Sequence, residues 1–294
     1  MKSKLFFITF FCFGCAVMSA QINGVVIDHV TKNPIPYISI WVENENNGAT
    51  AEENGAFQMT YSGKSKNLIF SAIGYEKKIA SISSEMKVEL IPITIELKEV
   101  VITKKYGTRE IEIGETDSPF LQAYENGPRI DVKFFPYKAK YKKTKFIKQV
   151  VLNTDSRIEE ATLKLHFYKV DPEGLPGDEL LEKEFIATVN KGVKKTLFNL
   201  SDFDLRMPKN GLFVGFERLK IEKNKAEKSI RDANTSTNTI QTTFYPLILY
   251  NRAERDFRYT FIGGKWTRES LTAAQGESSK ITIYEPAINL ILVN

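Results

Sequence analysis

Cysteine is scarce in this chain of 294 residues, and both copies, Cys12 and Cys15, lie near its start. Histidine is equally scarce, with His29 and His166 as the two copies. No stretch after residue 20 approaches the length of an apolar membrane helix. A disulfide framework, a cysteine-based zinc site and a helical membrane domain are therefore not expected beyond the start of the chain. The formal net charge of +5 is moderate, and we expect no nucleic-acid partner.

The beginning of the chain has the composition of a secretory signal peptide. Lys2 and Lys4 precede an apolar stretch over residues 5–13, which is too short to span a bilayer comfortably. Ser19 and Ala20 then supply the small residues that are typical of a cleavage site. The pattern predicts that the protein is exported.

We place the signal peptide at residues 1–20, with cleavage between Ala20 and Gln21. The mature chain would then contain no cysteine, because both copies leave with the leader. An alternative is lipid attachment at Cys15, for which the preceding Gly14 is a suitable neighbour.

Residues 21–103 show the short strands and tight turns of a small β-sandwich, with no helical period. Asn54 and Gly55 form a strong tight-turn signal, because both residue types tolerate a positive φ. Apolar alternation along residues 37–42 places Ile38, Ile40 and Val42 on one face, and Tyr37, Ser39 and Trp41 on the other. Strands are predicted at residues 22–27, 37–42, 57–61, 67–72, 78–82, 87–90 and 93–97.

Four ordered motifs in this segment carry a family resemblance: INGVV at 22–26, PYISI at 36–40, NGATAEENGAF at 47–57 and FSAIGYE at 70–76. Together they resemble the carboxypeptidase-regulatory-like domain, a transthyretin-like sandwich common in exported proteins of Gram-negative bacteria. Ala51 and Glu52 stand where the family usually has Thr and Asp. The resemblance implies an architectural module without chemistry of its own, in the periplasm or at the outer membrane.

A narrower resemblance lies at LKEVVIT, residues 97–103, which is similar to the junction between this module and the plug of TonB-dependent transporters. Fewer than two hundred residues follow this junction, too few for a plug and a large transmembrane barrel. The resemblance therefore implies an envelope protein that shares the adaptor module, without a transporter.

The rest of the chain divides into a linker and a second β domain. Residues 104–130 combine glycine, proline and mixed charge, which predicts a tether. Residues 131–294 predict a larger sandwich of jelly-roll type, so that the whole protein is all-β. Residues 161–170 alternate cleanly, which predicts a half-buried strand with Lys164, His166 and Tyr168 on its outer face. Residues 229–243, rich in Ser, Thr and Asn, predict a long mobile loop.

The sequence contains no catalytic, metal-binding or cofactor-binding motif that we recognise. His29 and His166 do not begin a zinc-binding spacing, and we interpret them as surface or edge residues. Neither a G-x-S-x-G motif, a phosphate loop nor a dinucleotide fingerprint is present. We therefore predict neither an enzyme nor a cofactor.

Three segments are candidates for binding. In residues 137–142, strand geometry would align Lys138, Lys140 and Lys142 on one face, either to meet anionic groups or as a solvated edge. Acidic residues within 170–179 could supply oxygen ligands to calcium, but their spacing is not that of an EF-hand loop, and the prolines and glycines among them favour a turn. Trp266, beside a Gly-Gly turn and near Arg268 and Tyr259, is either a sugar-stacking platform or a core plug. The candidate ligand surface is Trp266, Arg268, Tyr259, Lys138, Lys140 and Lys142.

These observations favour an exported, non-catalytic envelope protein that binds an envelope protein or a polysaccharide, with an adaptor sandwich and a recognition sandwich. The alternative is a carbohydrate-binding module or a carbohydrate-active enzyme. A concave cleft that joins Trp266 to facing carboxylates would favour sugar chemistry, whereas a flat or edge-strand surface would favour protein contact.

Overall fold

The computed structural model describes residues 20–93, 107–114, 121–123, 127–231, 237–270 and 281–294. The predicted signal peptide lies outside these residues, except for Ala20 at the start of the first strand. The described residues form strands and three short 3-10 helices, at Ala139–Lys143, Ser201–Phe203 and Glu222–Asn224. The predicted all-β class is confirmed.

The first sandwich consists of a three-stranded and a four-stranded sheet, in the orders β4-β1-β7 and β3-β2-β5-β6. Their facing sides form one apolar core, which includes Ile22, Val26, Phe57, Ile40, Leu68 and Phe70. Gly55 has a φ of +74° in the predicted turn, where Asn54 Oδ1 accepts a hydrogen bond from the Ala56 nitrogen at 3.0 Å. The strands are β1 (Ala20–Asp28), β2 (Ser39–Val42), β3 (Gly48–Thr50), β4 (Ala56–Tyr61), β5 (Asn67–Ser71), β6 (Lys78–Ser81) and β7 (Glu85–Leu90).

The second sandwich contains two larger sheets. One has the order β13-β12-β16-β10-β20-β21, with β14 also pairing with β12; the other has the order β22-β19-β11-β23-β8, with β15 and β9 attached to β11 and β19. Its strands are β8 (Glu110–Ile113), β9 (Leu121–Ala123), β10 (Ile130–Phe135), β11 (Phe146–Ser156), β12 (Ala161–Val170), β13 (Pro176–Glu179), β14 (Phe185–Val189), β15 (Gly192–Asn199), β16 (Leu212–Arg218), β17 (Lys225–Arg231), β18 (Asn238–Phe244), β19 (Leu247–Arg255), β20 (Arg258–Ile262), β21 (Lys265–Glu269), β22 (Ile281–Pro286) and β23 (Ile288–Val293).

The core of the second sandwich lies between these two sheets. Alternate residues of β12 and β16 face alternate residues of β11, β19 and β23, as the period of two requires. The facing side chains include Leu163, Leu165, Phe167, Val214 and Phe216 on one side, and Val150, Leu152, Ile248, Leu290 and Leu292 on the other. The hairpin of β17 and β18 forms a separate two-stranded sheet.

Two segments differ from their predicted loop character. Within residues 104–130, β8 pairs with β23 and β9 pairs with β19, so the described part of the predicted tether belongs to the second sandwich. In the described part of residues 229–243, which leaves out 232–236, the paired strands β17 and β18 stand where a mobile loop was predicted. In both segments, polar and charged side chains occupy strands, because backbone pairing does not require apolar residues on an exposed face.

The two sandwiches pack against each other, so that four sheets lie in one stack. The outward face of β2 and β5 meets the outward face of β10, β12, β16 and β20, and Trp41 and Ile69 enter one cluster with Val132, Phe213 and Tyr259. Strand β12 was predicted to be half-buried; this is wrong, because Lys164 and His166 are buried as well. The first sandwich covers the face that alternation assigns to solvent.

Backbone contacts fix the edges of this interface. The Asn44 nitrogen donates to the Gly263 carbonyl at 2.9 Å, in the turn between β20 and β21. At another edge, the Lys220 nitrogen donates to Thr50 Oγ1 at 3.0 Å, and the Glu222 nitrogen donates to Glu52 Oε1 at 2.9 Å. These bonds connect loops of the second sandwich directly to the first.

Candidate functional site

A buried network of charges joins the two sandwiches. Lys164 and Glu217 are register partners on β12 and β16, and both side chains point away from the core of the second sandwich. Glu217 Oε2 accepts hydrogen bonds from Ser39 Oγ at 2.8 Å and from His166 Nε2 at 3.3 Å. Lys164 Nζ donates to Ser39 Oγ at 3.2 Å and to Glu184 Oε1 at 3.1 Å. Ser39 therefore ties the first sandwich into a network that the second sandwich supplies.

His166 lies between two carboxylates. Its Nδ1 is 3.1 Å from Glu179 Oε2, opposite the contact with Glu217, and its ring stacks on Tyr168 with centroids 5.5 Å apart. Burial by itself lowers the pKa of His166, but the hydrogen bonds and charges of Glu179 and Glu217 outweigh burial and raise the pKa to about 9. The imidazole is therefore protonated at neutral pH, and both of its nitrogens are donors.

The same network that raises the pKa of His166 lowers the pKa of Glu217. Burial raises the pKa of Glu217, but the charge of Lys164 and the hydrogen bonds from His166 and Ser39 leave the pKa below its ordinary value. The prediction that His166 is a surface or edge residue is wrong, because the first sandwich buries it. For His29 the prediction is confirmed: its exposed side chain lies 2.8 Å from Glu89.

This network forms one wall of a cavity of about 490 Å³ between the sandwiches, which we call the interdomain cavity. Its acidic wall contains Asp178, Glu179, Glu184 and Glu217, and its aromatic wall contains Trp41, Tyr168, Phe261 and Trp266. Trp266 makes edge contacts with Tyr168 and Phe261, at centroid distances of 5.2 and 5.3 Å. The two tryptophans of the sequence both line this cavity.

A second cavity, of about 480 Å³, opens within the second sandwich, and we call it the cationic cavity. Its lining carries four cationic side chains, Lys133, Lys138, Arg255 and Arg258, against two carboxylates, Asp256 and Glu285. Phe134 and Phe257 are partly exposed there, whereas Tyr259, also in the lining, is buried.

The charges of the cationic cavity differ in how far they are neutralised. Lys133 is buried; desolvation lowers its pKa, although Glu285 at 3.3 Å opposes this effect. Arg255 binds Glu285 through two nitrogens, at 2.8 and 2.6 Å. Arg258 pairs with Glu269, whereas Lys138 is exposed and forms no ion pair within the described residues. Lys138 is therefore the cation of this cavity with the most freedom to meet a ligand.

The structure divides the predicted ligand surface. Trp266 lines the interdomain cavity, whereas Tyr259 and Lys138 line the cationic cavity. Arg268 lies over the rings of Phe257 and Tyr259, with its guanidinium carbon 5.1 and 6.0 Å from their centroids.

The predicted row of lysines on one strand face is wrong. Lys140 and Lys142 are exposed on a 3-10 helix that buries Tyr141, and neither lines a cavity described above. Lys138 precedes this helix as its N-cap residue.

The acidic segment 170–179 contains the predicted turn. Asp171 Oδ1 accepts hydrogen bonds from the nitrogens of Glu173 and Leu175, at 2.9 and 2.7 Å. After the turn, β13 carries Glu179 back towards His166, a contact between residues thirteen positions apart that alternation alone does not reveal. Among the described residues, no group of three or more His, Cys, Asp or Glu side chains is placed to hold a metal ion.

Helices in the described part of the chain are too short or too polar to cross a membrane. No curated protein matches the chain. Two solved structures are similar at low scores. A DUF3823 family protein from Bacteroides uniformis is 12% identical, over 79% of this chain and 98% of its own, with a TM-score of 0.19. The structure of infectious bursal disease virus is 11% identical, over 94% of this chain and 60% of its own, with a TM-score of 0.23. Scores this low assign neither a fold nor a function.

The first sandwich has a firmer assignment. The family model of the CarboxypepD_reg-like domain matches residues 22–103. The matched range contains all four sequence motifs and the strands β2 to β7. The first sandwich of this chain is therefore a CarboxypepD_reg-like domain.

Proposed function

We propose that this chain is an exported, non-catalytic protein of the bacterial envelope, and that its second sandwich binds an acidic polysaccharide. In this proposal, the CarboxypepD_reg-like domain is an adaptor that is docked against the recognition sandwich. The predicted signal peptide and the usual occurrence of this domain in exported proteins support the proposed location in the envelope. The single observation that carries the ligand class is the cationic cavity, where four cations stand against two carboxylates beside aromatic rings.

The chemistry of this cavity fits a chain of uronic acids or a similar acidic sugar. A volume of about 480 Å³ lies within the range of ligand pockets. Phe134 and Phe257, which are partly exposed, offer ring surface to the apolar faces of a sugar. Lys138, which forms no ion pair among the described residues, would meet its carboxylates, and a positively charged cleft attracts a polyanion over distances of about one Debye length.

The protonation and hydrogen bonding of His166 support a non-catalytic role. A general base must accept a proton near neutral pH, but His166 already carries one, and both ring nitrogens are engaged by carboxylates. Its partner carboxylates are engaged as well, since Glu179 accepts from the Phe167 nitrogen and Glu217 accepts from Ser39. His166, Glu179 and Glu217 are thus occupied by contacts with one another and with Ser39 and Phe167, so His166 is not available as a general base.

One observation favours the alternative of neutral-sugar binding. The interdomain cavity joins Trp266 to the carboxylates of Glu179, Glu184 and Glu217, which is the concave arrangement expected of a sugar site. Trp266 is partly exposed and makes edge contacts with the rings of Tyr168 and Phe261.

Calorimetric titration with polygalacturonate, and with neutral dextran as the comparison, tests the proposal. We expect polygalacturonate to bind and its affinity to fall as NaCl rises from 50 to 300 mM. Lys138→Glu should weaken binding about tenfold, because it replaces an attraction by a repulsion at a partly solvated site. Lys142→Glu is the matched control, since it makes the same charge change on the adjacent 3-10 helix outside the cavity.

Two results would contradict the proposal: equal losses from both substitutions, or no binding of polygalacturonate. Binding of dextran that Trp266→Ala abolishes would instead favour the neutral-sugar alternative.

A further inference from the structure

The interdomain cavity has the opposite charge balance from the cationic cavity. Four carboxylates line it, from Asp178, Glu179, Glu184 and Glu217. The cations that stand among them are Lys164 and the protonated His166, together with Lys77. With all of these groups charged, the lining has an excess of one negative charge, and without Lys77 the excess is two. The cavity therefore favours a positively charged ligand.

Two acceptor groups in this cavity, Glu184 Oε2 and the Asp178 carboxylate, have no partner among the described residues. Glu184 Oε1 accepts hydrogen bonds from Lys164 and from the Ile73 nitrogen, but its Oε2 is buried without a partner among the described residues. A buried oxygen of this kind is costly to leave unpaired, so a donor brought by a ligand would be stabilising. Asp178 is exposed and forms no ion pair with a described residue.

The aromatic wall already holds a cation. Lys77 Nζ lies 5.9 Å from the centroid of the Phe261 ring, within the range of a cation–π contact. Phe261 in turn makes edge contacts with Trp41 and Trp266, each at a centroid distance of 5.3 Å. Because Lys77 is exposed, its ammonium is an occupant that a competing ammonium of the same kind can displace.

We propose that the interdomain cavity binds a primary alkylammonium group, presented as a lysine side chain by a partner protein. The ammonium would lie over Phe261 and donate to Glu184 Oε2 and Asp178, in place of Lys77. An unbranched lysine side chain is favoured over an amino sugar because the chain's own Lys77 reaches Phe261 in this manner. This site is separate from the cationic cavity and takes a ligand of opposite charge, so its test does not depend on polysaccharide binding.

The two tryptophans provide a direct readout. Both line this cavity, so the indole N–H region of a 1H–15N spectrum of the full protein contains two signals, and both report on this cavity. Trp266→Phe assigns them. The probe is Nα-acetyl-lysine N-methylamide, its neutral counterpart carries an acetyl group on Nε, and glucosamine represents an amino sugar. We expect the first probe to shift the Trp266 signal with a dissociation constant in the millimolar range, because one side chain buries few atoms.

Three substitutions make the prediction directional. Asp178→Asn should weaken binding about two- to fivefold, the range for one exposed ion pair. Lys77→Met should strengthen it by a similar factor, because the resident cation and its repulsion are removed. Glu173→Gln is the control, since this exposed acid lies in the turn before β13 and outside the cavity. Loss of folding could only weaken binding, so a gain of affinity in Lys77→Met would report on the site itself.

The proposal is overturned by any of three results: no shift of either indole signal, equal binding of the Nε-acetyl probe, or weaker binding by Lys77→Met. Stronger binding of glucosamine than of the lysine probe would overturn the assignment to a partner's lysine and identify an amino sugar as the ligand.

Discussion

Replacing His166 by phenylalanine removes the central cation of the interdomain network and keeps an aromatic ring against Tyr168. In the native protein, His166 donates to Glu179 and to Glu217 from its two nitrogens. In the variant, both carboxylates lose this partner while the first sandwich still covers them. Removal of one member of a buried ion cluster costs about 3–5 kcal/mol, because the remaining charge is left without compensation.

The pKa shift gives a second, independent magnitude. A pKa of about 9 in the folded protein, against the ordinary value of 6.5, means that the native state binds the proton more tightly than the unfolded chain. At about 1.4 kcal/mol per pH unit, the charged imidazole stabilises the fold by roughly 3 kcal/mol. This stabilisation is fully present below pH 6.5 and is lost as the pH rises through 9. The two lines of reasoning agree in size.

Urea unfolding at pH 6, 7.5 and 9.5 measures both effects. We expect the free energy of unfolding of the native protein to fall by about 3 kcal/mol from pH 6 to pH 9.5, and that of His166→Phe to be about 3 kcal/mol lower at pH 6 but nearly independent of pH. His29→Gln is the control, because it removes the other histidine of the chain at an exposed site. Parallel pH dependences in the native protein and in His166→Phe would refute the assignment of the charge to His166.

Two further predictions concern a contact at the edge of the interface between the sandwiches and the start of the mature chain. Gly263→Ala should lower the free energy of unfolding by about 1–3 kcal/mol, because Gly263 has a φ of +58° and an added Cβ would lie 2.6 Å from the Glu45 nitrogen. Gly174→Ala is its control in urea unfolding, with a φ of +83° and no atom within 4 Å of the added Cβ, so equal losses would argue against a tight interdomain contact at Gly263. N-terminal sequencing of the secreted protein should begin at Gln21; a persistent full-length cytosolic product, or a diacylglycerol adduct on Cys15, would contradict export by cleavage at this point.

The sequence predicted the position of a strand along the chain better than the burial of its two faces. Residues 161–170 were assigned to a strand with the bounds that β12 has, because a period of two follows from backbone geometry. Burial of the outer face of β12 depends on the first sandwich, which contributes Trp41 and Ser39 from more than a hundred residues away. In β2, likewise, alternation correctly separated Ile40 from Trp41, but both are buried, against different partners.

The candidate site was less predictable, because it is assembled across the chain. Alternation in residues 137–142 predicted a strand, but residues 139–143 form a 3-10 helix with three residues per turn, in which Tyr141 is buried and Lys140 is exposed. Pro136, which has no N–H to donate to a sheet, was the local signal that β10 ends before this segment. No local signal pairs His166 with Glu179 and Glu217, since their proximity follows from sheet register and from the turn at Asp171. The scarcity of histidine was the one hint that a buried copy has a specific role.

The position of β23 has a consequence for the order in which the chain gains structure. This strand lies inside its sheet, between β11 and β8, although it is the last strand along the sequence. The first sandwich has all of its described strands by Leu90, so it can close while most of the chain is still emerging during synthesis. The second sandwich must keep an open gap between β8 and β11 until residues 288–293 arrive, and contacts of such long sequence separation form slowly. In the meantime, the first sandwich already presents Trp41 and Ile69 on the face of β2 and β5 that the second sandwich later covers.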